Sequence, residues 1–153
     1  MFTSIYIIDD DPIDRFITRT VIRSFCPDSK IEEFSEASTA MTALRLLAEN
    51  DAYKWPELIL LDINMPVMNG FTFLDQLKDF SFLFLENCSI FMITSSSNAK
   101  DVEQAMNTTL VKTYIIKPLT HSLFTNILEV ESSRRPSSKV DHVKTQTFAC
   151  KIN

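Results

Sequence analysis

Leu58-Ile59-Leu60-Leu61-Asp62 sets four consecutive large aliphatic residues against a carboxylate. A strand with one face in water alternates apolar and polar residues, so a run apolar at every position suits a central strand covered on both faces. Such strands belong to parallel sheets with helices on either side. Outward from this run, Ser4-Ile5-Tyr6-Ile7-Ile8, Ile90-Phe91-Met92-Ile93 and Thr113 to Ile116 read as further strands, with Lys30 to Phe34 a less apolar one. Helical spacing fills the gaps between them. Ile13, Phe16, Ile17, Thr20, Val21 and Phe25 recur on one face behind a cap at Asp11, with Pro12 at the first helical position. Ala37, Ala40, Met41, Leu44 and Leu47 line a second helix. Phe71 to about Lys78, the short polar stretch Ala99 to Met106, and His121 to Val130 supply three more. Strands alternating with helices predict an α/β fold, a five-stranded parallel sheet flanked by helices. Between Asp79 and Ser89, Phe80, Phe82, Leu83, Phe84 and Leu85 are too crowded for one face, so the segment either extends the third helix or forms a packed loop.

The chain has 153 residues, 45% hydrophobic and 23% charged, which suits one domain with a real core. Met1 to Ile8 turns acidic at Asp9 before a signal peptide can form, and no apolar run is long enough to span a bilayer. A cytoplasmic location is expected. Cys26, Cys88 and Cys150 are widely spaced without metal-ligand spacing, so they are expected to be reduced thiols. The N-x-[ST] matches at Asn87 and Asn107 then carry no weight, since they need a secretory route. Charge is uneven along the chain. From Ser132 onward Arg134, Arg135, Lys139, Lys144 and Lys151 stand against Asp141, so a net charge of −5 leaves about −9 on the body. An acidic body argues against nucleic-acid binding, which needs a basic face. Ser-Ser-Arg-Arg-Pro136 ends helical periodicity, and residues 132–153 are expected to be a basic, weakly ordered tail behind a domain of residues 1–131.

Four of the five strand runs stop at a residue able to do chemistry: Asp9-Asp10-Asp11, Asp62, Thr94 and Lys117. In a parallel sheet these positions gather along one edge, where open α/β folds bind ligands. Any one of them alone reads as a turn or cap residue, and Asp11 beside Pro12 keeps that reading. Together, clustered carboxylates repel unless a cation intervenes, and an all-oxygen set suits Mg²⁺, which usually meets phosphate. A metal beside a lysine points to phosphoryl chemistry.

Ile7-Ile8-Asp9-Asp10-Asp11-Pro12, Leu60-Leu61-Asp62-Ile63-Asn64-Met65-Pro66-Val67-Met68-Asn69-Gly70, Ile93-Thr94-Ser95 and Tyr114-Ile115-Ile116-Lys117-Pro118 resemble the response-regulator receiver family of two-component signalling, in order, from about Ser4 to Val130. The resemblance implies a flavodoxin-like doubly wound receiver fold and a phosphorylation-dependent switch. It makes Asp62 the phosphoacceptor and gives Mg²⁺ to Asp10, Asp62 and the main-chain carbonyl of Asn64, with Asp9 acting through water. Thr94 would bond the phosphoryl group and Tyr114 would be the aromatic switch. A cis bond before Pro118 would tilt Lys117 into the pocket. The implied partners are a histidine kinase or histidine phosphotransfer protein, an output protein, and a second copy in a phosphorylation-linked dimer. A stand-alone receiver is expected, because the residues from Ser132 are too few for an effector domain. Two departures bear on the switch: Leu110-Val111-Lys112-Thr113 replaces small residues ahead of the last strand, and Ser95 replaces the usual alanine. Gly70, the chain's single glycine, follows Asn69 at a helix start and is expected to need a backbone conformation that side chains disfavour.

Two other functions share parts of this pattern. A haloacid-dehalogenase-type phosphatase also uses a strand-end Asp with Mg²⁺, but needs a second acid where this chain has Asn64. A flavodoxin-like cofactor binder wants a phosphate loop after the first strand, where Asp9-Asp10-Asp11 would repel phosphate.

Overall fold

The computed structural model describes residues 2–50, 54–95 and 99–134. Five parallel strands, β1 (Ser4–Ile8), β2 (Lys30–Phe34), β3 (Leu58–Leu61), β4 (Ser89–Thr94) and β5 (Val111–Ile116), lie in the order β2-β1-β3-β4-β5. Helices α1 (Pro12–Phe25), α2 (Ala37–Asn50), α3 (Gly70–Leu77), α4 (Phe82–Asn87), α5 (Ala99–Met106) and α6 (His121–Arg134) connect and cover them. Strand periodicity sorts the core into two layers. Tyr6, Ile8, Ile59, Leu61 and Met92 face α2, α3, α4 and Ala105 of α5. Ile5, Ile7, Leu58, Leu60, Phe91 and Ile93 face Val21 and Ile22 of α1 and Phe124 and Ile127 of α6. Both faces of the central strands are buried, as the unbroken apolar runs require. Among the described residues no helix is long and apolar enough to cross a membrane.

Local chemistry accounts for the differences from the sequence reading. The crowded segment holds a separate short helix: Ser81 accepts a hydrogen bond from Phe84 N at 3.3 Å and starts α4 in a new phase. Phe84 turns inward against Trp55 and Phe80, with ring centroids 5.2 and 5.1 Å away, while Phe82 and Leu83 face outward. β5 begins two residues earlier than Thr113, because the pairing with β4 passes an irregularity in which Ile90 pairs with Val111 and Phe91 with Thr113. α6 runs past Val130 to Arg134, and within this extension the hydroxyls of Ser132 and Ser133 bond back to the carbonyls of Leu128 and Glu129. The rest of the expected tail, residues 135–153 with Cys150, lies outside the described residues. Cys26 and Cys88 are free and buried.

α1 is turned relative to its apolar pattern. Its buried residues are Thr18, Val21 and Ile22, whereas Ile13 and Phe16 are 68% and 58% exposed. α5 shows the same kind of shift: Val102 and Met106 stand four residues apart, the spacing of one apolar helical face, yet Ala105 is buried and Met106 67% exposed.

Candidate functional site

The strand order reverses between β1 and β3, and that crevice is where open α/β sheets bind ligands. Asp9 directly follows β1 and Asp62 directly follows β3. Main-chain bonds fix both: Asp9 N donates to Phe34 O at 3.0 Å, and Asp62 N to Ile8 O at 2.8 Å. Each is only 4% exposed. Asp62 Oδ1 accepts from Ile63 N at 2.7 Å and Asn64 N at 3.4 Å, which turns its other oxygen toward the pocket. Asp9 Oδ1 accepts from Asp11 N at 3.0 Å. Asp11 itself caps α1, accepting from Ile13 N and Asp14 N, as its place beside Pro12 suggests.

Lys117 follows β5 and reaches across the crevice. Its Nζ lies 2.8 Å from Asp9 Oδ2, 2.9 Å from Asp62 Oδ2 and 2.9 Å from Asp14 Oδ2. Lys117 N donates to Thr94 O at 2.9 Å, tying the ends of β4 and β5 together, and the Lys117–Pro118 bond is cis. Burial pushes the Asp9 carboxyl above the usual carboxylate range, against the opposing pull of Lys117 and the Asp11 N–H. Burial alone would lower Lys117, but its bonds to Asp9, Asp62 and Asp14 outweigh that and hold the ammonium above its ordinary value. Lysine is therefore the charged partner that keeps two buried carboxylates together.

The cluster also fits a divalent cation. Asp9, Asp10 and Asp62 each offer an oxygen, and these oxygens lie within 4.8 Å of one another. Asp10 is exposed, so the site opens to water, and a hard cation that retains waters suits an all-oxygen set of this size. Asn64, whose main-chain carbonyl the resemblance assigns to the metal, stands two residues beyond Asp62 in the same loop.

Thr94 is the last residue of β4 and is wholly buried. Tyr114 pairs in register with Met92 and is half-buried against the layer that contains Met92 and Ala105. The structure thus gathers Asp9, Asp10, Asp62 and Lys117, and sets Thr94 against Lys117 through the main chain. Gly70 closes the loop beneath Asp62, with its N–H donating to Ile63 O at 2.9 Å. Its φ is not positive, contrary to the sequence expectation; the requirement is space, because a Cβ there would collide with the main-chain oxygen of Asp62. The left-handed residue in this loop is instead Val67, at φ 66°, in a tight turn where Met68 N donates to Pro66 O at 2.7 Å.

Sequence reasoning missed two residues, Asp14 and Arg15. Asp14 pairs with Lys117, and Arg15 donates to the Asp9 carbonyl at 2.6 Å and approaches Glu33 at 4.0 Å. They follow the acidic run by three and four residues, within the first turns of α1, so their reach into the site was a geometric option that the apolar pattern concealed.

The response regulator receiver domain family matches residues 5–129, and the chain belongs to that family. It is 36% identical over 103 residues to the nitrate/nitrite response regulator protein NarL of Escherichia coli (strain K12), an alignment covering 67% of this chain and 43% of NarL. It is 27% identical over 122 residues to the sensor histidine kinase CheAY of Helicobacter pylori, covering 80% of this chain and 14% of CheAY. The chain therefore spans less than half the length of these relatives. Solved structures match it over nearly their whole length. A two component response regulator from Cytophaga hutchinsonii superposes with a TM-score of 0.75 at 28% identity, covering 88% of this chain and 97% of that one. A response regulator receiver protein from Dyadobacter fermentans gives 0.73 at 26% identity, covering 88% and 98%. The fold is that of a receiver domain, which implies phosphorylation-dependent signalling.

Proposed function

We propose that this chain is a signalling switch whose Asp62 accepts a phosphoryl group from a histidine kinase or histidine phosphotransfer protein. The observation that carries the reading is the buried pair of Asp62 Oδ2 and Lys117 Nζ at 2.9 Å, beside two further acids able to hold a cation. In the reaction a carboxylate oxygen of Asp62 forms a bond to phosphorus as the donor's bond to phosphorus breaks. The bonding pair leaves with the donor group. Anion attacking anion is opposed by charge, so the site must supply positive charge before the group arrives. Lys117 is one source. Mg²⁺, held by Asp10, Asp62 and the Asn64 carbonyl with Asp9 through water, would supply the rest by neutralising phosphoryl oxygens.

Thr94 then hydrogen-bonds the phosphoryl group, and Tyr114 answers its movement. The surface of α5, β5 and α6 meets the output partner, or a second copy in a phosphorylation-linked dimer. The chain supports its own phosphorylation and dephosphorylation without turning over an external substrate, and works in the cytoplasm.

Incubation with acetyl phosphate and intact-mass measurement test the reading. Wild type should gain one phosphoryl mass with Mg²⁺ present and none without it, and hydroxylamine should remove the mass. Asp62→Asn should fold and stay unlabelled, because the amide is nearly isosteric but a poor nucleophile. Equal labelling of Asp62→Asn would sink the assignment.

A further inference from the structure

An ammonium has three N–H donors, and three carboxylate oxygens surround that of Lys117 within 2.9 Å, one each from Asp9, Asp14 and Asp62. No donor is left for a fourth oxygen. An incoming phosphoryl group brings new anionic oxygens while Asp62 is still a carboxylate, so one existing pair must open before the lysine can reach them. The three partners differ in what that opening costs. Asp9 and Asp62 are nearly inaccessible to water, and a carboxylate deprived of its pair at that depth is poorly solvated. The Asp14 side chain is 26% exposed and stands in the first turn of α1, where the helix end favours negative charge and water can replace the lysine. Asp14 is the partner that leaves at least cost.

We propose that Asp14 is an exchangeable counter-ion for Lys117, a positioning residue that shares the ammonium before phosphorylation and yields its place to a phosphoryl oxygen as the group arrives. This rests on the reading of Asp62 as phosphoacceptor. Its charge acts on the pocket with opposite signs: it offsets the repulsion between Lys117 and a metal ion, and it competes with an incoming anion for the lysine. A residue that served only to stabilise α1 would not separate the two.

The test is titration of the full chain with Mg²⁺ alone, and with beryllofluoride at saturating Mg²⁺, followed by calorimetry or NMR. The proteins are wild type, Asp14→Asn, Lys117→Gln and the double variant. Asp14→Asn keeps the size and loses the charge. It should raise the Kd for Mg²⁺ and lower the Kd for beryllofluoride, each by about threefold, the scale of a partly exposed ion pair. In the Lys117→Gln background the effect of Asp14→Asn on Mg²⁺ should fall to less than half, because the coupling runs through the lysine. Shifts in the same direction, no shift, or a Mg²⁺ effect undiminished without Lys117 would overturn the proposal. Wild type that binds Mg²⁺ but not beryllofluoride would overturn the phosphoacceptor reading and this proposal with it. That outcome is distinct from a responsive wild type beside an unresponsive Asp14→Asn, which overturns the proposal alone.

Discussion

The two halves of the sheet's carboxyl edge are held in different ways. Beside β1 and β3 the main chain is tied at each turn, by Asp9 N to Phe34 O, Asp62 N to Ile8 O and Gly70 N to Ile63 O, and the two acids are almost fully enclosed. Beside β4 and β5, Lys117 N to Thr94 O ties the strand ends, and the covering helix sends little side chain into the core. Among the described side chains of α5 only Ala105 is buried; Val102 is partly so and Met106 faces water. Tyr114 is half-buried and Ile116 exposed. Phosphoryl chemistry gains from groups fixed before the reaction, since nothing then has to reorganise in the transition state. Signalling gains from a surface whose rearrangement costs little. On the proposed function, one edge would serve both by dividing them.

The largest expected effect falls on the tied half. Gly70→Ala places a Cβ against the Asp62 carbonyl, a main-chain atom that cannot swing aside, so the loop must shift. The substitution should lower stability by about 3 kcal/mol, the upper part of the overpacking range, and weaken beryllofluoride binding. Urea unfolding at unchanged m-value would measure it. A loss below about 0.5 kcal/mol would mean that this half yields as readily as the other.

A smaller effect sharpens the contrast without mutation. Native-state hydrogen exchange should show amides of α5 and β5 opening at least about tenfold more readily than those of β1 and β3, a gap of about 1.4 kcal/mol in local stability. Uniform protection across the sheet would break the comparison.

What could be read from sequence divides along similar lines. Asp9, Asp62 and Lys117 are legible because each directly follows a strand, and parallel strands bring their ends to one edge whatever the helices do. Asp14 is not, because its direction depends on how α1 docks. Apolar spacing assigns Ile13, Phe16, Ile17, Thr20, Val21 and Phe25 inward. The site instead draws in Asp14 and Arg15, and Thr18, Val21 and Ile22 follow at three- and four-residue steps, leaving Ile13 and Phe16 exposed. The charge contact across the fold and the local hydrophobic pattern call for different faces of α1, and the helix presents the face that carries the charge contact. Gly70 is a mixed case: the need for glycine is visible, while its cause, a close approach by residue 62, appears only in three dimensions. α4 hides for a related reason, since a cap at Ser81 restarts the helical phase inside one aromatic run.

The smallest expected effect concerns α5, whose orientation the same kind of pattern misjudges. Periodicity counts Met106 with Val102 as the face that holds the helix, whereas the structure buries Ala105 in the layer with Met92 and leaves Met106 in solvent. Met106→Gln replaces one unbranched, helix-compatible side chain with another and disturbs no buried contact, so stability should change by no more than about 0.5 kcal/mol. Ala105→Gln supplies the scale, because it forces a long polar group into a filled layer and should cost about 1–3 kcal/mol. Both are read from urea midpoints on the unphosphorylated chain. If Met106→Gln proved the more costly of the two, α5 would have to sit rotated from the orientation described. Its hold on β5 would then be firmer than that of a helix free to move with Tyr114.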